Sequence, residues 1–435
     1  MTGTAGLPPG PLIAFYGDDF TGSTDAMEVL AFAGLPTILL LDLPDAATLA
    51  RFADRRGIGI AGTARSRSPD WMRENLPPVF RALDGVHAPV LQYKVCSTFD
   101  SSPAIGSIGR ALEIGAAVTR QDWCAMVVAA PALRRYQAFG NLFASVDGVA
   151  HRLDQHPTMA RHPVTPMAEA DLRRHLAAQT ATPVALVDLV ALKQGGGAAA
   201  IDAARAAGTR TVLFDVIDDE TLAETGRLIW EGRGRGVLAI ASSGLEYALI
   251  AHWRRAGLLP PAAPPAPAAP VERLLVISGS CSPVTARQIA WAEANGFAPI
   301  RLDVAAAIDP ARAPAEVART ADIACTTLAE GRDAIVFSAR GPDDPATGAL
   351  REAAARSGEP VEALQRRVAH TLGAVLARAL PRAGVTRVAV AGGDTSGEVT
   401  QALGVAALEA IAPVVPGAPL CRAYRREGGA VEVIL

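Results

Sequence analysis

Residues 259–270 read LPPAAPPAPAAP. Prolines at that density withhold backbone N–H groups and fix φ, so the stretch can join neither a helix interior nor a central strand. It reads as an extended, semi-rigid linker. It divides the chain into residues 1–258 and 271–435, and any fold must therefore build two cores. Length agrees, because 435 residues exceed the roughly 250–300 at which a single core stops growing.

Both halves alternate short apolar runs with helical periodicity. In the first half, strand-like runs fall near residues 12–16, 37–41, 57–61, 89–93, 124–129, 183–187, 211–214 and 237–241. In the second they fall near 274–277, 299–302, 334–337, 388–391 and 431–435. Apolar strands separated by helices predict mainly parallel sheets covered on both faces, hence two α/β lobes joined by the Pro/Ala-rich linker. Residues 131–166 break the pattern. They carry several prolines and three histidines without clear periodicity, and read as a functional loop or a small excursion. A linker of this kind lets two lobes change angle, and is compatible with lobes exchanged between two chains of a homodimer.

Composition removes several function classes. The net charge is −3 with no basic stripe, which argues against nucleic acid as a partner. Five scattered cysteines (Cys96, Cys124, Cys281, Cys325 and Cys421) form no C-x-x-C pair, which argues against a zinc site or a disulfide framework and fits a reducing cytoplasm. No apolar stretch reaches the ~20 residues of a membrane helix. The opening MTGTAGLPPG has neither the basic nor the apolar region of a signal peptide. A cytoplasmic protein is expected.

Three polar clusters stand at the ends of predicted strands. The first is IAFYGDDFTGSTD, residues 13–25, in which an apolar run stops at Gly17 and a helical pattern follows. Asp18, Asp19, Thr21 and Asp25 are more than a capped turn needs, and a carboxylate there can act as a base on a substrate hydroxyl. In an open parallel sheet such turns lie where ligands bind. The bland alternative is that Asp18 or Thr21 caps the helix and the rest is solvated. The second cluster is YKVCSTFDSS, residues 93–102, with Lys94, Ser97 and Asp100. Lysine occurs elsewhere only at Lys193. A cation among hydroxyls suits a small polyhydroxy acid, although a polar loop with a capped helix would look similar. His162 opens HPVTPM, whose two prolines fix its shape, so that a rigid histidine could touch substrate, and Arg134 and Arg135 add positive charge near the same site; His162 and Arg134 are therefore candidate substrate contacts. A surface histidine is the alternative reading.

The third cluster is a pair of glycine turns in the second half: VISGSCSPVT (276–285), with Ser278 and Ser280, and VAVAGGDTSGEVT (388–400), with Gly392, Gly393, Asp394 and Thr395. Small residues let the backbone approach an anion, and a helix N-terminus offers free N–H groups. Each turn alone is a common tight turn; two in one lobe favour phosphate binding. The P-loop sequence, the G-x-S-x-G elbow and H-E-x-x-H are absent, and GRGRG (232–236) lacks the spacing of a dinucleotide fingerprint and precedes its strand.

Together DDFTGSTD from Asp18, KVCSTFDSS from Lys94, HPVTPM from His162, SGSCSPVT from Ser278 and AGGDTSG from Ala391 resemble the motifs of the four-carbon acid sugar kinases, in order and over essentially the whole chain. The resemblance implies an acid-sugar site in the N-terminal lobe and a nucleotide site in the C-terminal lobe. It also implies ATP-dependent phosphorylation, with Mg²⁺, of a terminal hydroxyl. Substrate contacts would fall on Asp18, Asp19, Lys94, Ser97 and Asp100, with Asp19 or Asp18 as the base. Nucleotide contacts would fall on Ser278 or Ser280 and on Gly392, Gly393, Asp394 and Thr395. No metal ligands are assigned. The first motif departs from A-D-D-F-T-G-A at Gly17 and Ser23, which leaves the acid open among tetronates, 3-oxo-tetronates and the branched 3-oxo-isoapionate. Two other classes are weighed, a nicotinamide-dependent sugar-acid dehydrogenase and a non-catalytic sensor of sugar acid and nucleotide.

Overall fold

The structure, a computed structural model, describes residues 6–415 and 417–435, with the side chain of Asp394 outside the described residues. The chain forms two compact units, residues 1–265 and 266–435. Each is a layered α/β unit with its own core.

In the first unit the strands in chain order are β1 (Ile13–Gly17), β2 (Thr37–Leu40), β3 (Gly57–Ala61), β4 (Val90–Lys94) and β5 (Trp123–Val127). A separate antiparallel sheet follows, of β6 (Arg135–Ala138), β7 (Asn141–Val146) and β8 (Val149–Arg152). The chain then returns to the main sheet with β9 (Val184–Val187), β10 (Thr211–Phe214) and β11 (Val237–Ala241). The main sheet has the order β2-β3-β1-β4-β11-β5-β10-β9 and every pairing in it is parallel. Strands β1, β4, β5 and β11 are buried along their whole length, and all but β4, which carries Gln92 and Lys94, read as apolar runs. The small sheet is the excursion expected at residues 131–166. Asp215 anchors it, accepting the N–H groups of Phe139 at 2.6 Å and Gly140 at 2.9 Å.

The second unit contains β12 (Leu275–Ser278), β13 (Ala298–Arg301), β14 (Ala334–Phe337), β15 (Arg387–Ala391), β16 (Val405–Val415), β17 (Ala418–Arg425) and β18 (Ala430–Ile434). Strands β13-β14-β12-β15-β18 are parallel neighbours, and β17 and β16 continue the order in antiparallel pairing. The mainly parallel α/β architecture expected from the alternation is therefore present in both units. The sequence reading had no strand at residues 405–425. Alanine fills much of β16 and weakens its strand signature, and the hairpin is stabilised by cross-strand partners rather than by local propensity.

Strand order places the sites. The chain builds β2 and β3 on one side of β1 and β4 on the other. It builds β13 and β14 on one side of β12 and β15 on the other. At each such reversal the loops diverge from the carboxyl ends of two adjacent strands and leave a crevice. The polar clusters of residues 18–25 and 94–102 sit at the first reversal, and the two glycine turns sit at the second.

Candidate active site

At the β1/β4 reversal the carboxyl end of β1 carries Asp18 and Asp19. The Asp18 N–H bonds to the Lys94 carbonyl at 2.9 Å, extending the β1–β4 pairing by one residue. Asp19 adopts the extended backbone of an N-cap, and its Oδ1 accepts the Gly22 N–H at 2.8 Å. The helix Phe20–Phe32 starts there. Asp18 faces inward with its side chain 3% exposed, whereas that of Asp19 is 29% exposed.

Both carboxylates meet one cation. Arg65, on the short 3₁₀ turn Ala64–Ser66 after β3, donates from Nη2 to Asp18 Oδ1 at 2.6 Å and from Nε to Asp18 Oδ2 at 3.3 Å. Its Nη1 reaches Asp19 Oδ2 at 2.7 Å. This fork geometry is what guanidinium offers and lysine does not. Burial pushes the Asp18 carboxyl up to about 6 even though Arg65 pulls it down. Burial alone would lower the Arg65 guanidinium, but Asp18, Cys96 and Asp19 more than reverse that.

Lys94 ends β4 and is buried. Its ammonium donates to the Val95 carbonyl at 3.2 Å and faces Asp25 Oδ2, in the second turn of the helix Phe20–Phe32, at 3.4 Å. Burial works against its charge, but Asp25 and then Glu246 outweigh burial and raise its pKa. A side chain added at Gly22 would come within 3.2 Å of Lys94 Nζ and 2.5 Å of Asp19 Oδ1. Gly22 thus lies where Asp19 and Lys94 converge, with bare backbone at a helix N-terminus.

The remaining residues of the cluster are arranged around this centre. Asp100 is buried and accepts the Thr98 hydroxyl at 2.6 Å, while Ser97 is partly exposed. Phe99 between them has φ 55, a left-handed backbone that a bulky residue seldom adopts. Thr21 is exposed on the first turn of the helix. His162 and Arg134 stand on other segments of the first unit. His162 Nδ1 accepts both the N–H and, at 3.0 Å, the hydroxyl of Thr165, which fixes the HPVTPM turn internally. Arg134 is exposed, left-handed at φ 55, and ends the 3₁₀ turn Pro131–Leu133. Among the described residues, neither is hydrogen-bonded or ion-paired to the Asp18–Lys94 group.

Sequence reasoning did not single out Arg65, Gln92 or Glu246. Arg65 lies in GTARSRS, at the carboxyl end of the strand beside β1, and that placement was its only available signal.

At the β12/β15 reversal the site is made differently. The Gly279 and Ser280 N–H groups donate to the Ala391 carbonyl at 3.0 and 3.2 Å, drawing the two turns together. A Cβ on Gly279 would lie 2.0 Å from Thr395 Oγ1, and Gly392 has φ 119, so both positions need glycine. Gly392 precedes the helix Gly393–Ala402, whose first N–H groups lack intrahelical partners. Among the described residues Ser278 Oγ is buried with no partner, and Ser280 Oγ accepts from Thr285 Oγ1 at 2.8 Å. Beside these turns a cavity of about 320 Å³ opens, lined among others by Gly279, Thr395, Val304, Leu350, Gln365 and Val368. Glycine N–H groups beside a mostly apolar cavity suit a phosphate chain with an attached aromatic base.

Residues 13–249 match the family model described as a sugar-binding N-terminal domain, and residues 275–435 match the one described as a nucleotide-binding C-terminal domain. A 3-oxo-isoapionate kinase of Paraburkholderia graminis is 53% identical over all of this chain and 93% of its own. A 3-oxo-tetronate kinase of Cupriavidus necator is 32% identical over 96% of this chain and 92% of its own. A crystal structure from Salmonella typhimurium LT2 covers 97% of this chain and 95% of that one with a TM-score of 0.79 at 24% identity, a likeness of fold.

Proposed function

The chain belongs to the four-carbon acid sugar kinase family, and from that membership we propose a division of one reaction between its two units. It is an enzyme, a kinase of sugar acids. In the proposal the first unit binds the acid sugar at the β1/β4 reversal and the second binds ATP at the β12/β15 reversal. The sugar acid is 3-oxo-isoapionate or a 3-oxo-tetronate. The observation that carries the reading is that each unit gathers its polar cluster at its own strand-order reversal, one charged and one built of glycine and hydroxyls.

The hydroxyl oxygen of the acid sugar attacks the γ-phosphorus in line with the bond to the β-bridging oxygen. That bond breaks, ADP leaves, and the hydroxyl proton passes to a carboxylate. Asp19 is assigned this role because its carboxylate is the more accessible of the pair; Asp18 holds Arg65 in place. Lys94 takes the substrate carboxylate, with Thr21, Ser97 and Asp100 as partners for its hydroxyls. The N–H groups after Gly392 and Gly393, with Thr395, Ser278 and Ser280, hold the phosphates, and the orphaned Ser278 hydroxyl gains its partner there. Such transfer depends on positioning and charge neutralisation more than on covalent chemistry. Mg²⁺ carried on the phosphates would supply part of that neutralisation and needs only one or two protein carboxylates. Asp394, in the second glycine turn, is the carboxylate nearest in sequence for that purpose. A cytoplasmic location belongs to the same proposal; the five free cysteines support it.

The test is ADP release with ATP and Mg²⁺ across threonate, erythronate, their 3-oxo forms and 3-oxo-isoapionate. A strong signal with one acid is expected. No ADP with any acid, while ATP still binds, would overturn the proposal.

A further inference from the structure

Glu246 stands in the first turn of the helix Gly244–Arg255, which follows β11, the strand beside β4. It is fully buried. Its Oε2 accepts from Gln92 Nε2 at 3.3 Å, and that same Gln92 nitrogen donates to the Ser242 carbonyl at 3.1 Å. Among the described residues, Glu246 Oε1, Gln92 Oε1 and Ser243 Oγ have no partner. Three buried polar atoms without partners call for an explanation.

The charged groups that face Glu246 are Lys94, on β4, and Asp25, on the helix Phe20–Phe32. Tyr247, its neighbour, has its phenol pushed up to about 12, first by burial and then by Asp25, Glu28 and Glu246. Around the acid-sugar site, five carboxylates (Asp18, Asp19, Asp25, Asp100 and Glu246) face two cations (Arg65 and Lys94). With all of them ionised, the site carries three surplus negative charges and would receive a substrate that brings another. Asp18 and Asp19 are tied to Arg65 through close bonds, and Asp25 lies 3.4 Å from Lys94. Glu246 has one oxygen bonded only to a neutral amide and one bonded to nothing, so it loses least by becoming neutral.

We propose that Glu246 is the positioning residue of the acid-sugar site that gives up its charge: it balances Lys94 while the site is empty and takes a proton from solvent when the substrate carboxylate arrives. No bond to substrate is made or broken at Glu246. The inference rests on the reading that Lys94 receives that carboxylate. Burial pushes Glu246 up to about 7 against the pull of Lys94, so its proton is exchangeable near neutral pH. Below that range Glu246 is neutral and Lys94 is free for the substrate. Above it the ionised Glu246 competes for Lys94, and acid-sugar affinity falls as pH rises. A one-unit shift on binding corresponds to about a tenfold change in affinity across the transition.

Two measurements test this with 3-oxo-isoapionate as probe. The KM for the acid is expected to rise roughly tenfold from pH 6 to pH 8 in the natural protein and to stay flat in Glu246→Gln, with the KM for ATP indifferent to the change. Glu246→Met is the second variant if the first does not fold, since an apolar residue of similar volume is often accepted at a buried ionic position. Calorimetry at pH 7 in buffers of different ionisation enthalpy should show proton uptake on binding that the variant loses. Parallel pH profiles, or equal proton uptake, in natural protein and variant overturn the inference while leaving the kinase reading intact. Failure of every acid in the panel to bind overturns both.

Discussion

At the β1/β4 reversal the polar cluster rests on side-chain charge: a forked Arg65 across two carboxylates, a buried Lys94, and further carboxylates behind it. At the β12/β15 reversal it rests on backbone N–H groups freed by glycine, a few hydroxyls and an apolar cavity. The two positions are equivalent in their sheets, so the contrast comes from the residues and not from the topology. A small acid with several hydroxyls presents compact charge at fixed spacing, and opposed charges on rigid strand ends match it. A phosphate chain presents spread charge, which backbone dipoles meet without bringing a countercharge into the core. The cost also differs. Buried charges are stable only as a complete set, because removing one partner leaves another unpaired.

The largest expected effect lies on the charged side. Asp19→Asn keeps a good helix cap but would remove the proposed base, and kcat should fall ~10²–10⁴-fold with ATP affinity unchanged, measured by steady-state kinetics and nucleotide titration. Unchanged turnover would remove Asp19 from the role. Next comes Arg65→Met, which strands Asp18 and Asp19. Denaturant unfolding should show a loss of about 3–5 kcal/mol, and a loss below 1 kcal/mol would break the comparison.

A third effect depends on pH. Glu246 has a folded pKa of about 7, above the ordinary carboxylate value, so the folded state holds the proton more tightly than the unfolded state. That contribution is fully present below the unfolded pKa and is lost as pH rises through 7. Relative to the natural protein, Glu246→Gln should therefore gain about 1–3 kcal/mol between pH 5 and pH 8, read from paired melting curves. A constant difference across that range would contradict it. The smallest effect is Ser278→Ala on the glycine side. It removes a buried hydroxyl with no partner, and stability should change by about 0.5 kcal/mol or less while ATP binding weakens.

The same contrast decides what could be read from sequence. The glycine turns are local: Gly279 and Gly392 stand in short motifs whose strand-to-helix context is visible in the residues themselves. The charged site is assembled from four strands, and only its first and second clusters carry enough polar residues to stand out. Arg65 reaches Asp18 from 47 residues away and Glu246 meets Gln92 from 154, so both depend on strand order, which periodicity does not reveal. Parallel strands β1 to β5 were legible as apolar runs. The β16–β17 hairpin was not, because alanine-rich strands take their stability from neighbours.

The division of labour is tested most directly by amide hydrogen exchange on the natural protein, with each ligand added alone. The account predicts that 3-oxo-isoapionate slows exchange in residues 18–25 and 94–102 and leaves 278–285 and 391–397 unchanged. A non-hydrolysable ATP analogue should do the reverse. Protection of residues 18–25 by the nucleotide alone, or of 391–397 by the acid alone, would contradict it.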